Sequence, residues 1–425
     1  MSAVRRIIFV GAFLALAWSK TPGPAVGAAA LVDNLMAHGA KCDGIADDAP
    51  VINGAIAALS RAGGGDLMLP AHMTCGIKGR LTLLPNVHLQ GSDGATIKLL
   101  ANIHDYAILG VAASNSGLAD LMVDAGDYDG GPNSAAVAWQ SSNGVFVRRV
   151  QIVNQGRFGI VLNGGTDYDF SDNAISCKTP SSTICGTREQ NQAILVAASL
   201  PSANGRIAVN TLTGSGMDIA TANGVIAYNK ITQWRFGAGI TIELAANTYG
   251  LTIISNSTTG GRGTDINNTV VMGIEQWAPN TYVAFNYSAD NDGDGIDIGG
   301  LDNTVEQNVA VDNSQIKKGL LDGIVCRYGT ANYNCSNSTF IGNRSYNNEG
   351  TNGTQEYAYA EQSAAIVGVT MIGNDFPANA AGSTHILSTS TRIRQRLQDN
   401  GQMLEQSLII SNDPRVPMEC HVRHE

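Results

Sequence analysis

The chain has 425 residues, of which 26 are basic and 36 acidic, for a formal net charge of −10. So acidic a balance excludes nucleic acid as a natural partner, because that binding needs clustered Lys and Arg. Glycine occurs 49 times while charged residues are only 15% and aromatics 6%, which excludes a helical enzyme and points to many short strands joined by turns.

Residues 1–30 read as a secretory signal. Arg5 and Arg6 precede an apolar run from Ile7 to Trp18, and small residues follow, with cleavage expected after one of Ala28 to Ala30. The run is short for a membrane span and no later stretch approaches one, so a soluble secreted or periplasmic product is expected. Loss of Arg5, Arg6 and Lys20 with the leader makes the mature chain more acidic still. An acidic polysaccharide would then be repelled at long range unless a cation or a basic patch intervenes. Seven cysteines fit an oxidising compartment. Cys177 with Cys185 and Cys326 with Cys335 are spaced as loop staples, Cys42 with Cys75 as a tie in the N-terminal cap, and Cys420 is left over.

Residues 38–99 open with His38-Gly39-Ala40-Lys41-Cys42-Asp43-Gly44-Ile45-Ala46-Asp47-Asp48, continue into an Ala-rich stretch, and reach Gly63-Gly64-Gly65-Asp66-Leu67-Met68-Leu69-Pro70. Asp47 or Asp48 can cap a helix whose Ile52, Ile56 and Leu59 share a face, and the glycines end it. Such a helix suits the open end of a stacked fold. This phrase resembles the opening of the pectate-lyase superfamily, GAxGDGxxDDxxAIxxAI…GGG…LPxG, with Cys42 in place of the second Gly and Ala71-His72 in place of the last. Asn115 to Asp124 is similar to that superfamily's next phrase. The resemblance implies a right-handed parallel β-helix acting on polysaccharides. It does not choose a reaction, since lyases, hydrolases, epimerases and tailspikes share the phrase. Asp43, Asp47 and Asp48 are read as turn and capping groups.

The middle of the chain repeats itself. A Gly-Ile step recurs at Gly239-Ile240, Gly273-Ile274, Gly295-Ile296 and Gly323-Ile324, with earlier copies at Gly159-Ile160 and Gly216-Met217. Between copies comes an apolar-x-x-Asn phrase ending at Asn229, Asn256, Asn286, Asn308 and Asn343. Irregular repeats of twenty to fifty residues mark stacked architectures, and short alternating apolar runs between Gly, Asn and Asp are strands. One such rung cannot bury its apolar side, but coiled rungs stack Ile on Ile at a strand spacing of about 4.8 Å, with the asparagines forming an amide ladder. The expected fold is one all-β domain, a single right-handed parallel β-helix over 31–390 with an N-terminal capping helix. Gaps at 163–192, 245–252, 259–271 and 344–356 exceed a tight rung and suit groove walls. The tail, 391–425, is expected to be helical at Arg392–Leu397 and Gln402–Leu408 and to cover the last rung.

Strand alternation aims the side chains. With the isoleucines inside, one outward file reads Asp218, Thr241, Glu275, Asp297, Val325 and the next reads Ala220, Glu243, Trp277, Gly299, Arg327. Asp294 and Asp322 sit in the turns entering adjacent strands. Carboxylates one rung apart lie roughly 5 Å apart and those two rungs apart roughly 10 Å, which brackets retaining and inverting glycoside hydrolysis. Crowded acids raise one another's pKa and supply a protonated general acid, and the same crowd of oxygens suits Ca²⁺, which a lyase uses to neutralise a uronate. The phrase Gly293-Asp294-Gly295-Ile296-Asp297 resembles the polygalacturonase catalytic phrase. That resemblance implies catalytic carboxylates at Asp294, Asp297 and Asp322, although Leu321 replaces one Asp of the family's pair and no Gly-His-Gly follows.

The catalytic candidates are therefore Glu275, Asp294, Asp297, Asp322 and Arg327, the last as the base an elimination would need. The substrate-binding candidates are Asp218, Glu243, Arg235 and Trp277, which is placed to stack on a sugar. No protein-metal set is assigned. The alginate-epimerase phrase Tyr-Gly-Phe-Asp-Pro-His is missing, which disfavours that activity. The expected partner is a polysaccharide, cleaved by pectate-lyase-like elimination or polygalacturonase-like hydrolysis. The alternative is a non-catalytic glycan-binding or exopolysaccharide-assembly protein.

Overall fold

The computed structural model describes residues 31–128, 134–178, 192–263, 270–399, 402–409 and 420–424. The signal expected over 1–30, Cys185 and part of the 259–271 gap lie outside the described residues. The strands collect into three long sheets of 16, 12 and 11 strands, and every pairing in the 12- and 11-stranded sheets is parallel. Each coil visits them in turn. Ile296–Ile298 lies in the 12-stranded sheet, Thr304–Glu306 in the 16-stranded sheet and Val309–Val311 in the 11-stranded sheet, before Ile324–Cys326 starts the next coil. The chain is a right-handed parallel β-helix, the hand that crossovers between parallel strands almost always take. Among the described residues no helix is long and apolar enough to cross a membrane.

The Gly-Ile refrain is the spine of the interior. Ile240, Ile274, Ile296 and Ile324 are direct neighbours in the register and each is fully buried. The glycine before each isoleucine is set by crowding. A Cβ at Gly273 would overlap Ser288 Oγ and the Gly295 carbonyl, and one at Gly323 would overlap Ser345 Oγ, so only Gly lets the chain enter the strand here. The asparagines form an unbroken ladder from Asn173 through Asn210, Asn229, Asn256, Asn286, Asn308 and Asn343 to Asn374. Each Oδ1 accepts the backbone N–H and the amide of the preceding Asn, as at Asn256 (3.0 and 2.9 Å from Asn229). Three members, Asn173, Asn210 and Asn374, lie outside the repeat as read from sequence.

The N-terminal cap is a helix, Ala49–Arg61, burying Ile52, Ile56 and Leu59. Asp48 sits at its N-cap, but its carboxylate accepts from Lys41 N and Cys42 N, while Asp47 Oδ1 takes the Ala49 N–H. Asp48 thus pins the disulfide loop, and Cys42 is bonded to Cys75. Cys326 is bonded to Cys335 across a short antiparallel excursion, Tyr328–Thr330 with Tyr333–Asn334, and Cys177 is also disulfide-bonded.

The tail corrects the helical expectation. Arg392–Asp399 and Gln402–Ile409 are strands, the first parallel to Thr370–Ile372 and the second antiparallel to the first, with Cys420–His424 beyond. The last coil leaves a row of unpaired N–H and C=O groups, and pairing satisfies that edge as a helix laid over it would not. The alternation of arginines at 392, 394 and 396 with Ile393 and Leu397 carries a period of two, which the helical reading passed over.

Asn256→Ala should remove two accepted bonds and two donated ones from the buried ladder, leaving Asn229 N–H unpaired. A loss of about 2–5 kcal/mol is expected in the urea unfolding free energy, against less than ~1 kcal/mol for an exposed turn residue such as Asn280→Ala.

Candidate active site

The register brings Glu275 and Asp297 side by side, with Thr241 and then Asp218 above them and the buried Val325 below. This is the outward file expected from alternation. The second file forms too, as the backbone N–H groups of Glu243, Trp277, Gly299 and Arg327 each bond the rung above at matching positions. Asp294 and Asp322 stand at the strand entries, where the Gly295 N–H bonds the Asp322 carbonyl.

Arg327 ties the cluster. Its side chain folds back one rung, so that Nη2 lies 3.0 Å from Asp294 Oδ2 and both Nη2 and Nε bond Asp297 Oδ2. Nη2 also touches Met272 Sδ at 3.3 Å. Asp294 Oδ1 accepts the Asp322 N–H at 2.6 Å, and Asp322 Oδ1 accepts the Tyr357 N–H at 2.9 Å. Asp294 and Asp297 are 2% and 1% exposed, whereas Glu275, Asp322 and Glu243 are half-buried.

Burial dominates the electrostatics. It holds Asp297 well above the usual carboxylate range against the pull of Arg327, and Asp294 and Glu275 push it further up. Burial raises Asp294 as well, opposed by Arg327 and the Asp322 N–H. Asp322 is pushed up to about 8, by burial first and then by repulsion from Asp294 and Glu356. Glu275 is raised by burial, while Arg327 and the Trp277 indole favour its ionised form. Asp218 is raised well above its ordinary value by burial, by its neighbour Glu243, to which it is hydrogen-bonded, and by Glu275. Burial works against the Arg327 charge, but Asp297, Asp294 and Glu275 outweigh it and hold the guanidinium more firmly protonated than usual.

The structure places three of the expected residues as follows. Arg327 is a clamp, because a guanidinium shared by two buried carboxylates is a poor base. Trp277 packs on the next rung, where a Cβ at Gly299 would overlap its ring, so Gly299 exists to seat it. Arg235 is exposed in the turn before Ala238–Ile242, beside the fully buried Trp234, and the ion pairs of the cluster do not include it. As for Ca²⁺, among the described residues the acids nowhere bring three ligand atoms within 4.8 Å of one another. The one set that does is Cys42, Asp48 and Cys75, two of which are joined as a disulfide. Asp302 and Asp312 have φ of 56° and 50° and serve as left-handed turn residues.

Glu356 is the residue that the sequence reading missed. It lies close enough to Asp294 and Asp322 to raise both, and its N–H bonds the Leu321 carbonyl. The next strand, Tyr357–Glu361, has no Gly-Ile step, so the repeat stopped one rung early. The signal was an acid directly before an alternating run.

Comparison with family models finds no match, and none is found among curated proteins. Solved structures do match. The A-module of a mannuronan C-5 epimerase from Azotobacter vinelandii superposes with a TM-score of 0.62 at 18% identity, over 85% of this chain and 97% of that one. They share the β-helix fold. A Dettilon tailspike protein gives a TM-score of 0.64 at 14% identity, over 90% of this chain and 76% of that one. A surface adhesin of Streptococcus pneumoniae gives 0.56 at 15%, over 92% and 99%. At these identities the β-helix carries the likeness and the chemistry of each groove is its own.

For Asp322 the folded pKa of about 8 lies above the ordinary 3.8, so the folded chain binds the extra proton in between. Its contribution to stability is full below about pH 4 and is lost as pH rises to about 8. Asp322→Asn should flatten that part of the stability-against-pH curve. Asp294→Asn removes the repulsion and should lower the Asp322 pKa, read by carbon-13 carboxyl titration. Arg327→Gln should destabilise by about 3–5 kcal/mol at pH 8, and by less at pH 5 where the freed carboxylates can protonate.

Proposed function

We propose that this chain is a glycan-active enzyme of an oxidising, extracytoplasmic compartment that hydrolyses glycosidic bonds in the groove outside the 12-stranded sheet, with inversion at the anomeric carbon. The observation that carries the reading is Asp322, only half-buried and with its carboxyl pushed up to about 8, beside acids that Arg327 holds in place. A carboxyl kept neutral by burial and like charge is the general acid that such cleavage needs. The disulfides support the compartment.

Asp322 donates its proton to the leaving glycosidic oxygen as the C–O bond breaks. Glu275, two rungs away and thus roughly 10 Å along the axis, takes a proton from water as that water attacks the opposite face of the sugar. Glu275 also stands three residues further along its strand than Asp322 does, so the pair is wider than the roughly 5 Å of a retaining pair and leaves room for the attacking water. Asp294 is only one rung from Asp322, the retaining distance, but it is buried and bonded on both oxygens, so it orients rather than attacks. Elimination is less well supported, since its base would be Arg327. The near-complete burial of Asp294 and Asp297 favours one further reading, a groove that binds glycan without cutting it.

On a panel of neutral and charged polysaccharides, reducing ends should appear without the ultraviolet absorbance of unsaturated products, and chelator should not matter. Asp322→Asn and Glu275→Gln should each lower kcat about 10²- to 10⁴-fold with KM little changed, and NMR of the first product should show the inverted anomer. Unsaturated products would refute hydrolysis. Binding without turnover, unaltered by either substitution, would establish the non-catalytic reading.

A further inference from the structure

Where the 16-stranded sheet turns into the 11-stranded one, the corner is built on left-handed residues. The residue before each ladder asparagine, one per rung, has φ between 50° and 61°. At the ends of the ladder these are Asp172, Gly342 and Gly373, types that adopt this backbone readily. In the middle they are Val209, Tyr228, Ser255, Phe285 and Gln307, and for a β-branched or bulky side chain such a φ is an outlier. Packing does not explain the choice, because Val209 is 45% exposed, Tyr228 63% and Phe285 45%. A large apolar side chain kept in water on a strained backbone points to a task at the surface.

The register lines these residues up. The Tyr228 N–H bonds the Ile254 carbonyl, the Ser255 N–H that of Ala284 and the Phe285 N–H that of Glu306, so each corner lies over the next. Tyr228 and Phe285 are therefore two rungs apart, roughly 10 Å along the axis. The rung between them carries only small side chains on this edge, Ser255 and Ser257. Just past the corner, Lys230, Ser257 and Tyr287 are direct neighbours in the register, and Lys230 and Tyr287 are exposed. The result is a strip of ring, gap and ring. It lies on a different side of the coil from the acid cluster, which stands outside the 12-stranded sheet.

We propose that this corner is a glycan-binding strip separate from the acid-lined groove, holding an extended neutral β-1,4-linked polysaccharide along the coil axis. In such a chain each sugar is flipped relative to the last, so alternate units show the same face, and that repeat matches the two-rung spacing of Tyr228 and Phe285. Where the hydroxyls are equatorial, the sugar face is C–H and lies flat on an aromatic ring, while the hydroxyls at its rim reach Ser255, Ser257 and Lys230. The intervening sugar passes over the two serines. A uronate fits worse, since burial, Tyr346, Asp312 and Asp290 together raise the Tyr287 hydroxyl, and the two acids would repel it. The strip holds the protein on a polymer while the groove stays open, and it stands whether or not the groove cuts.

The test is calorimetric titration of the full chain carrying Asp322→Asn, which holds the groove inactive. The probes are hexamers of β-1,4-linked glucose, β-1,4-linked N-acetylglucosamine, β-1,3-linked glucose and α-1,4-linked galacturonate. At least one of the β-1,4-linked hexamers should bind at least about tenfold more tightly than the β-1,3-linked and galacturonate ones. Tyr228→Gly and Phe285→Gly should each weaken that binding about tenfold, while the melting temperature holds or rises as left-handed strain is relieved. A fall in melting temperature in both variants would show that the rings pack for structure, and would overturn the proposal. So would affinity unchanged by both substitutions, equal binding of the β-1,3-linked hexamer, or a chain that self-associates in sedimentation through these residues and binds no glycan. Cleavage by the unsubstituted chain with no binding at the strip would leave the hydrolase reading standing and sink this one. Binding at the strip by a chain that cuts nothing would do the reverse.

Discussion

Everything in this molecule depends on one rung lying directly over the last. Hydrophobic burial alone would let rungs slide, since an isoleucine can rest on any apolar neighbour. The ladder from Asn173 to Asn374 removes that freedom, because each amide must meet the next at hydrogen-bond distance and inside the coil no water can substitute. The glycines before the isoleucines act with it, admitting the chain to the strand at a point where any side chain would collide with the neighbouring sheet. Register is thereby fixed to the residue, and a slip by one would turn every side chain to the opposite face.

Fixed register is what lets acids far apart in sequence share a wall. Glu275 and Asp297 stand in register because Ile274 and Ile296 do. Once gathered, they lose water faster than they gain partners, so burial sets their protonation and Arg327 limits the damage. A single guanidinium between Asp294 and Asp297 keeps two buried carboxylates from being wholly uncompensated. The consequence reaches Asp322, whose proton is held by a neighbour that is itself held by Arg327. Catalytic competence in this reading is a property of the chain of contacts and of no single residue.

The same logic separates the buried acids from the reachable ones. Asp294 and Asp297 form the floor, Glu275, Asp322 and Glu243 the accessible layer, and Trp277 is seated on Gly299 with its indole turned to Glu275. In that layering the raised carboxyl pKa values have one origin, burial reinforced by like charge.

The sequence by itself determined the coil. The Gly-Ile steps, the recurring Asn, the capping phrase around Asp47 and Asp48 and the cysteine spacing of Cys42–Cys75 and Cys326–Cys335 are local patterns, and period-two alternation is enough to say which side of each strand faces out. It determined which acids share a file. Only the tertiary structure decided how those acids are paired and buried. Whether Arg327 is free or clamped depends on how far its side chain folds back across a rung, whether Trp277 stacks on sugar or on Gly299 depends on the rung beneath, and Glu356 joins only because a strand without the refrain keeps the register. The tail was misread for a related reason. Arg392–Asp399 has residues that tolerate either helix or strand, and the unpaired edge of the last coil made the choice. Local pattern fixes direction, while distance, exposure and partner across a rung are set by atoms tens of residues away.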